Sequence, residues 1–126
     1  MQIANIAIQD GAATPVTHTF APSKVSDLLA TWYGPGLTLT GRESLSVTRR
    51  EATASVAGKV SIKLVLPIEK TVDGITNVDY SDTVFIECVL APKSVKQNRK
   101  DARVLASNLL KDPQIIAMID DAEGAF

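Results

Sequence analysis

The segment 59–63 has the pattern closest to binding chemistry, because cations and a hydroxyl recur there at every second residue. Residues two apart share one face of a β-strand, so that face would carry Lys59, Ser61 and Lys63. A preceding segment repeats the pattern with Ser44, Ser46, Thr48 and Arg50. Hydroxyls and cations suit phosphate oxygens and base edges, so the two segments together predict a nucleic-acid-binding sheet face. A solvated sheet face, which alternates in the same way without any ligand, is the alternative.

Catalytic chemistry has little support in the sequence. The chain has one histidine, His18, and one cysteine, Cys88, and it lacks a Gly-rich phosphate loop, a nucleophile elbow and a paired-histidine zinc motif. His18 has no nucleophile near it in sequence, and Cys88 lies in an apolar run that favours a buried structural thiol. We therefore expect no enzyme, no catalytic residues, no cofactor and no metal site.

Composition limits the chain to one ordered domain, which we place at residues 1–126. Of its 126 residues 45 % are hydrophobic and 21 % are charged, which suits a packed core. The net charge of -1 excludes a protein that is basic overall, but not one with a basic face. No apolar run approaches the roughly 18 residues that span a bilayer, and Met1–Asp10 has no features of a secretory signal. With a single cysteine, a reducing cytoplasm is the expected site of folding.

The first two thirds of the chain predict β-strands. Residues 1–21 are expected to form a hairpin around a turn, and residues 28–91 a sheet. The segment Glu69–Asp79, with Asp73-Gly74 at its centre, is interpreted as a long loop or a ribbon with a tight turn. It is longer than hairpin geometry requires, and long connections are often functional.

The last third predicts two helices within residues 94–121. Ser94 is the expected N-cap of a helix of about 16 residues, and Asp112 followed by Pro113 is the expected start of a second helix. Strands followed by helices indicate an α+β fold with an antiparallel sheet.

The apolar stripe of these helices is large for so short a chain. Two helices cover only one face of a sheet, and an isolated sheet leaves its edges exposed. Because antiparallel sheets commonly complete themselves across a dimer axis, we expect a homodimer. The alternative is that the helices fold back on their own sheet. The expected interface residues are Ala102, Leu105, Leu109, Leu110, Ile115 and Ile119.

An ordered set of local strings then identifies a family that the chain resembles over nearly its whole length. The first strings are Ala21-Pro22-Ser23, followed by Trp32, and the segment 59–63, followed by Pro67. The next is Tyr80-Ser81-Asp82. The last is the segment 109–120, which contains Leu-Leu-Lys-Asp-Pro and several isoleucines and is followed by the terminal aromatic residue Phe126. In this order the chain resembles the coat proteins of the single-stranded RNA bacteriophages, the leviviruses.

The resemblance implies a structural protein. It implies an N-terminal hairpin, a five-stranded antiparallel sheet and two C-terminal helices, with two chains interlocking their helices and joining their sheets into one ten-stranded sheet. Such dimers would build an icosahedral T=3 shell around single-stranded genomic RNA, which binds the inner sheet face. An RNA stem-loop bound there would repress translation.

The resemblance also implies roles for residues of the polar face. Lys63 would contact RNA phosphate and adenine, Ser61 would line an adenine pocket, and Leu29 would form the floor of that pocket. Ser44 and Ser46 resemble the pocket hydroxyls of the neighbouring strand.

The last strand would supply an aromatic side chain that stacks on an RNA base. The sequence leaves open which alternate residues of this strand point to the polar face, because Tyr80 and Asp82 fit one alternation whereas Phe85 and Glu87 fit the other.

The segment Glu69–Asp79 resembles the loop through which neighbouring copies meet at the symmetry axes. Its expected assembly residues are Val72, Asp73, Gly74, Ile75 and Thr76. The segment has no proline, so the resemblance implies no cis-proline role here. The connector Glu51–Gly58 is rich in alanine where relatives carry polar residues, which weakens the case for a sequence-specific RNA hairpin more than the case for a capsid.

The expected partners are therefore further copies of this chain and single-stranded RNA, without a membrane. The expected location is the virion, after synthesis and assembly in the bacterial cytoplasm. The alternative from a different class is a dimeric RNA-binding repressor that forms no shell.

Overall fold

The computed structural model describes residues 2–124 as one antiparallel sheet followed by two helices. The strands follow one another in the sheet in chain order, which confirms the α+β class. The elements are β1 (Ile6–Gln9), β2 (Thr17–Val25), β3 (Leu29–Tyr33), β4 (Ser44–Arg50), β5 (Gly58–Val72), β6 (Ile75–Leu90), α1 (Lys96–Leu109) and α2 (Pro113–Asp120).

The sheet has six strands, so the expected count of five is wrong. The reason is that β2 belongs to the hairpin and to the sheet at once. Its first half pairs with β1 and its second half pairs with β3, with an irregular register between Pro22 and Lys24. The hairpin therefore continues the sheet instead of forming a separate unit.

The core is small and lies on one face of the sheet, beside the hairpin. Phe20 and Trp32 are 1 % and 5 % exposed, and Ala30 completes the buried cluster. The Trp32 indole N–H donates a hydrogen bond of 3.0 Å to the carbonyl of Ala4, which fixes the N-terminal segment over β3. Partly buried apolar side chains surround the cluster: Ile3, Ile6, Leu45, Val47 and Leu64.

Strands β5 and β6 form one long ribbon that closes through a two-residue turn. Pairing continues to Val72 and Ile75, with a single irregularity between Ile68 and Glu69. Asp73 and Gly74 have φ angles of 52° and 79°, the two positive angles that a type I′ hairpin turn needs. Of the two interpretations of this segment, the ribbon is therefore confirmed. The expectation that the connection exceeds hairpin geometry is wrong, because its residues extend the two strands.

The helix starts agree with the sequence only in part. The Asp112 side chain accepts a hydrogen bond of 2.9 Å from the Gln114 N–H, and Pro113 opens α2 as expected. At α1 the N-cap is Val95, which makes no side-chain cap bond, so the predicted cap at Ser94 is wrong. Ser94 lies in the preceding turn, where its carbonyl accepts a 2.6 Å bond from the Arg99 guanidinium.

Neither helix packs extensively on the sheet of its own chain, where contacts run between neighbouring strands. No residue of α1 or α2 is buried. The alternative in which the helices fold back on their own sheet is therefore wrong for this chain. Within residues 2–124, no helix has the length and apolar character that crossing a membrane requires.

Candidate functional site

The polar face predicted from two segments lies on adjacent strands in matching register. Ser46 pairs with Lys63, and Thr48 pairs with Ser61. Residues directly opposite each other in antiparallel strands point to the same side, so hydroxyls and cations of β4 and β5 share one face. Arg50 and Lys59, and Ser44 with Val65, continue this face at its two ends.

A row of side chains crosses five strands of this face. Its members, from β2 to β6, are Lys24, Thr31, Ser46, Lys63 and Phe85. Sequence reasoning missed Lys24 and Thr31 as members of the face. The alternation of Leu29, Thr31 and Tyr33 was the available signal, but that short segment was ambiguous in type until its pairing with β4 was known.

Leu29 lies on the same face, partly buried and opposite Thr48. It lies beside Thr48, in a row that continues through Ser61 to Glu87, so it can line a pocket next to the Thr48 hydroxyl. At the other end of β3, Tyr33 lies opposite Ser44, and the Arg42 guanidinium stacks on the Tyr33 ring at 3.5 Å from its centroid. Arg42 thus brings a cation to this face that the sequence pattern did not indicate.

The register of β6 settles the phase that the sequence left open. Phe85 pairs with Lys63 and Glu87 pairs with Ser61, so both lie on the polar face. Tyr80 and Asp82 pair with Ile68 and Leu66, which lie on the other face. As side chains alternate between faces, the placement of Tyr80 and Asp82 at the polar face is wrong.

The cations of the face differ in how far they are already engaged. Lys59 Nζ lies 2.8 Å from Glu87 Oε1, so this charge is largely compensated within the chain. The Arg50 guanidinium donates hydrogen bonds of 3.3 and 3.1 Å to the carbonyl of Ala57. Lys63 forms no ion pair within residues 2–124 and is exposed. Lys63 is therefore the central cation available to an anionic ligand.

An open cleft of about 340 Å³ lies at one end of the sheet, where the connector between β4 and β5 meets the start of α1. Its lining includes four cations and one carboxylate: Arg49, Arg50, Lys59, Arg99 and Glu51. Arg49 and Glu51 form an exposed ion pair of 3.0 Å. Of these cations, Arg50 and Lys59 belong to the polar face, whereas Arg49 lies on the opposite face of β4.

At its base the ribbon is fastened to the connection between β3 and β4 by Glu69. The Glu69 carboxylate accepts hydrogen bonds from the N–H of Leu37 at 2.8 Å, from the N–H of Thr38 at 3.1 Å, and from the Thr38 hydroxyl at 3.0 Å. Gly41 lies so close that any side chain there would collide with this carboxylate. The sequence showed Glu69 only as an acid in a loop, because its partners lie more than thirty residues away.

Removing the Glu69 carboxylate should release this connection. Glu69→Ala removes the acceptor of two backbone N–H groups and one hydroxyl, at an expected cost of about 0.5–1.5 kcal/mol, because water reaches the exposed Leu37 amide. Hydrogen exchange at the amides of Leu37 and Thr38 should accelerate strongly. Glu51→Ala, which removes an exposed acid paired only with Arg49, is the control and should leave those two amides unchanged. Equal exchange in both variants would show that Glu69 does not hold the connection.

The ribbon tip is a regular two-residue hairpin that carries exposed apolar side chains. Val72 and Ile75, which form the last pair before the turn, are both largely exposed. Thr71 and Thr76 form the next pair and join their hydroxyls at 2.7 Å. Asp73 and Gly74 form the turn itself. The five expected assembly residues therefore lie together at the tip.

The expected interface residues of the helices form an exposed apolar surface. Leu105 is 69 % exposed and Leu109 is 56 % exposed. Leu110 and Ile119 are exposed to a similar degree, Ala102 is exposed and Ile115 is partly buried. An apolar stripe of this extent on a small protein marks an interaction surface.

Metal chemistry has no site in the described part of the chain. Residues 2–124 contain no group of three or more His, Cys, Asp or Glu side chains placed to hold a metal ion. Cys88 is only partly buried, so the expectation of a fully buried thiol is wrong.

Comparison with known proteins supplies a family and several solved structures. A family model described as "Levivirus coat protein" matches residues 1–126. A virus-like particle of bacteriophage NT-214 superimposes with a TM-score of 0.88 at 25 % identity, and one of bacteriophage ESE058 with 0.88 at 28 %, each covering 100 % of both chains. The capsid protein of bacteriophage GA has a TM-score of 0.77 at 17 % identity, covering 96 % of this chain and 95 % of its own, and shows the fold. A search of curated proteins found no match.

Proposed function

Since the chain belongs to the levivirus coat proteins, whose role is structural and not enzymatic, we propose that it acts as a homodimer whose copies form an icosahedral T=3 shell around single-stranded RNA. A capsid role, self-assembly and a place in the virus particle follow from the family and from its virus-like-particle neighbours. What we propose beyond this is that the chain forms a homodimer, that the shell has T=3 symmetry and that the shell encloses single-stranded RNA. Synthesis and assembly in the bacterial cytoplasm are part of it.

The observation that carries the proposal is the incomplete burial of the isolated chain. No residue of either helix is buried, and Leu105, Leu109 and Ile119 are more than half exposed. On the apolar face of β6, Val84 and Ile86 are exposed as well. Leaving this much apolar surface in water is unfavourable, at roughly 25 cal/mol per Å². A second copy that lays its helices across this face buries both surfaces at once.

The free edge of β6 supports the same arrangement. β6 is 16 residues long, and among residues 2–124 it pairs with β5 alone. A long unpaired edge invites pairing with another chain, and a two-fold axis beside it joins two sheets without leaving that edge open. Because β1 continues the sheet, the joined sheet would contain two sets of six strands and not the ten implied by the resemblance.

RNA is proposed to bind on the polar face, which lies on the side of the sheet opposite the apolar core. Lys63 supplies the central cation, and Ser46 and Ser61 supply hydroxyls for phosphate and base edges. Phe85 is 59 % exposed and lies beside Lys63, so its ring is available to stack on an unpaired base. Leu29 and Thr48 lie side by side and extend this surface from Ser61 towards β3.

The most specific part of the proposal is that the protein represses translation by binding an RNA stem-loop. It would use the same face, because a stem-loop presents both backbone phosphates and unstacked loop bases. The connector between β4 and β5 contributes few polar contacts, since it is rich in alanine. We therefore propose that this protein binds such a hairpin with modest sequence discrimination.

The test of the RNA face is the salt dependence of binding. Lys63→Ala should weaken RNA binding and lower the slope of log K against log salt by about 0.7–0.9, the loss of one phosphate contact. The control is Arg49→Gln, which removes a cation from the opposite face of β4. An unchanged slope for Lys63→Ala with the dimer intact would exclude Lys63 from the binding surface.

A further inference from the structure

His18 joins three separate parts of the chain through its two ring nitrogens. Nε2 lies 2.8 Å from Oδ2 of Asp10, in the turn that follows β1. Nδ1 lies 2.8 Å from both carboxylate oxygens of Glu43, which directly precedes β4. His18 itself lies in β2, so the cluster ties the tip of the N-terminal hairpin to the start of β4.

The geometry requires a particular protonation state. A neutral imidazole has one N–H donor and one acceptor nitrogen, whereas both nitrogens of His18 face carboxylates that can only accept. Only the doubly protonated imidazolium donates to both Asp10 and Glu43, and its bonds are charge-assisted. The two carboxylates lie at opposite nitrogens of the ring, so the cluster is not arranged around a shared metal ion.

Both carboxylates are held in place by other bonds. The second oxygen of Asp10 accepts hydrogen bonds from the N–H groups of Ala12 and Val16, at 3.1 and 3.0 Å. The backbone of Glu43 pairs with Gly34 and Pro35 at 2.8 and 2.9 Å. The cluster is therefore prepared for the imidazolium by the turn and by the connection before β4.

No cation is placed to replace His18 among the described residues that pack around it. Arg42, the neighbour of Glu43, is stacked on the Tyr33 ring. Lys24, the only other ionisable residue of β2, lies opposite Thr31 towards the far end of that strand. The charge balance of the cluster therefore depends on the proton of His18.

We propose that His18, Asp10 and Glu43 form a proton-operated latch that fastens the N-terminal hairpin to the start of β4. The latch is closed when the imidazole carries both protons. Loss of one proton leaves a nitrogen lone pair against a carboxylate, which opens the latch and frees the hairpin tip. This property is independent of RNA binding and of shell formation.

The direction of the pKa shifts gives the pH window of the latch. The Glu43 carboxylate, and then that of Asp10, raise the pKa of His18 above its ordinary value of 6.5. The Val16 N–H, followed by His18, lowers the pKa of Asp10 from 3.8 to about 2. The contribution of His18 to stability is therefore complete below pH 6.5 and is lost as the pH rises through its raised pKa. The contribution of Asp10 is complete above pH 3.8 and is lost as the pH falls towards 2.

Nuclear magnetic resonance of the imidazole tests the latch directly, because the chain has a single histidine. The protein is isotopically labelled at histidine, and samples that have formed shells are measured by magic-angle spinning. The titration midpoint of His18 should lie above pH 6.5. In Glu43→Gln it should move back towards that value. A midpoint at or below 6.5 in the unmodified protein would overturn the proposal.

Limited proteolysis tests the mechanical consequence. For each protein, the rate of cleavage in the turn 11–15 is measured at pH 6 and at pH 9. The increase in rate between the two pH values should be several-fold larger for the unmodified protein than for His18→Gln. His18→Gln corrects for the pH dependence of the protease, because glutamine does not titrate. The same acceleration in both proteins would show that deprotonation of His18 does not release the hairpin. If His18→Gln does not fold, Asp10→Asn takes its place, and its acceleration should be smaller than that of the unmodified protein.

Discussion

Leu109→Ala is expected to lower the stability of the dimer by about 2–5 kcal/mol, the cost of truncating a buried leucine. Leu109 is more than half exposed in the single chain, so a monomer would tolerate the change at little cost. Burial against a second copy turns the same substitution into a cavity. Chemical denaturation followed at several protein concentrations separates the two cases, because dissociation makes the midpoint depend on concentration.

The matched control is Ser107→Ala, which also shortens an exposed side chain of α1 but leaves the apolar stripe intact. It should change stability by no more than about 0.5 kcal/mol. If Leu109→Ala costs no more than this control, or if the unmodified protein is a folded monomer at micromolar concentration, the proposed interface is wrong.

Shortening the ribbon is expected to stop shell formation while leaving the folded dimer and its RNA affinity intact. The register permits a precise deletion: removing residues 71–72 together with 75–76 keeps Asp73-Gly74 as the turn between Lys70 and Asn77, which already pair and have the same hydrogen-bonding type as the original flanking pair. The deletion removes Val72, Ile75 and Thr76, the exposed tip, without shifting any remaining strand pair. Only contacts between dimers would be lost, because the tip makes no contribution to the core.

Sedimentation and electron microscopy of the shortened protein, with an RNA-binding measurement on the same sample, give the outcome. Asp73→Asn is the control, since asparagine also accepts the positive φ of the turn and should assemble normally. Particles of unchanged size and thermal stability from the shortened protein would make the ribbon dispensable. Loss of the dimer would place the ribbon inside the subunit interface instead.

The elements with strong periodicity were predictable from local sequence. The alternation around Lys63 and the proline after Asp112 are local signals, and the structure contains the strand and the helix that they predict. Asp73-Gly74 likewise has the chemistry of a tight turn. Such features depend on neighbours in sequence, so propensity and periodicity are enough to find them.

Features that depend on distant partners were not predictable. The phase of Phe85 relative to Lys63 is set by the register of a long ribbon, and a shift of one residue would reverse it. The roles of Glu69 and Glu43 depend on backbone and side-chain partners far along the chain. The continuity of the hairpin with the sheet was not predicted, because β2 changes partner midway without any break in its own sequence.

Electron microscopy of the purified protein distinguishes a capsid protein from a dimeric repressor, because only the copies of a capsid protein close into a particle. We expect uniform, closed shells, formed from this chain together with RNA. Free dimers that bind RNA but never form shells, under conditions in which the protein is folded and concentrated, would contradict it.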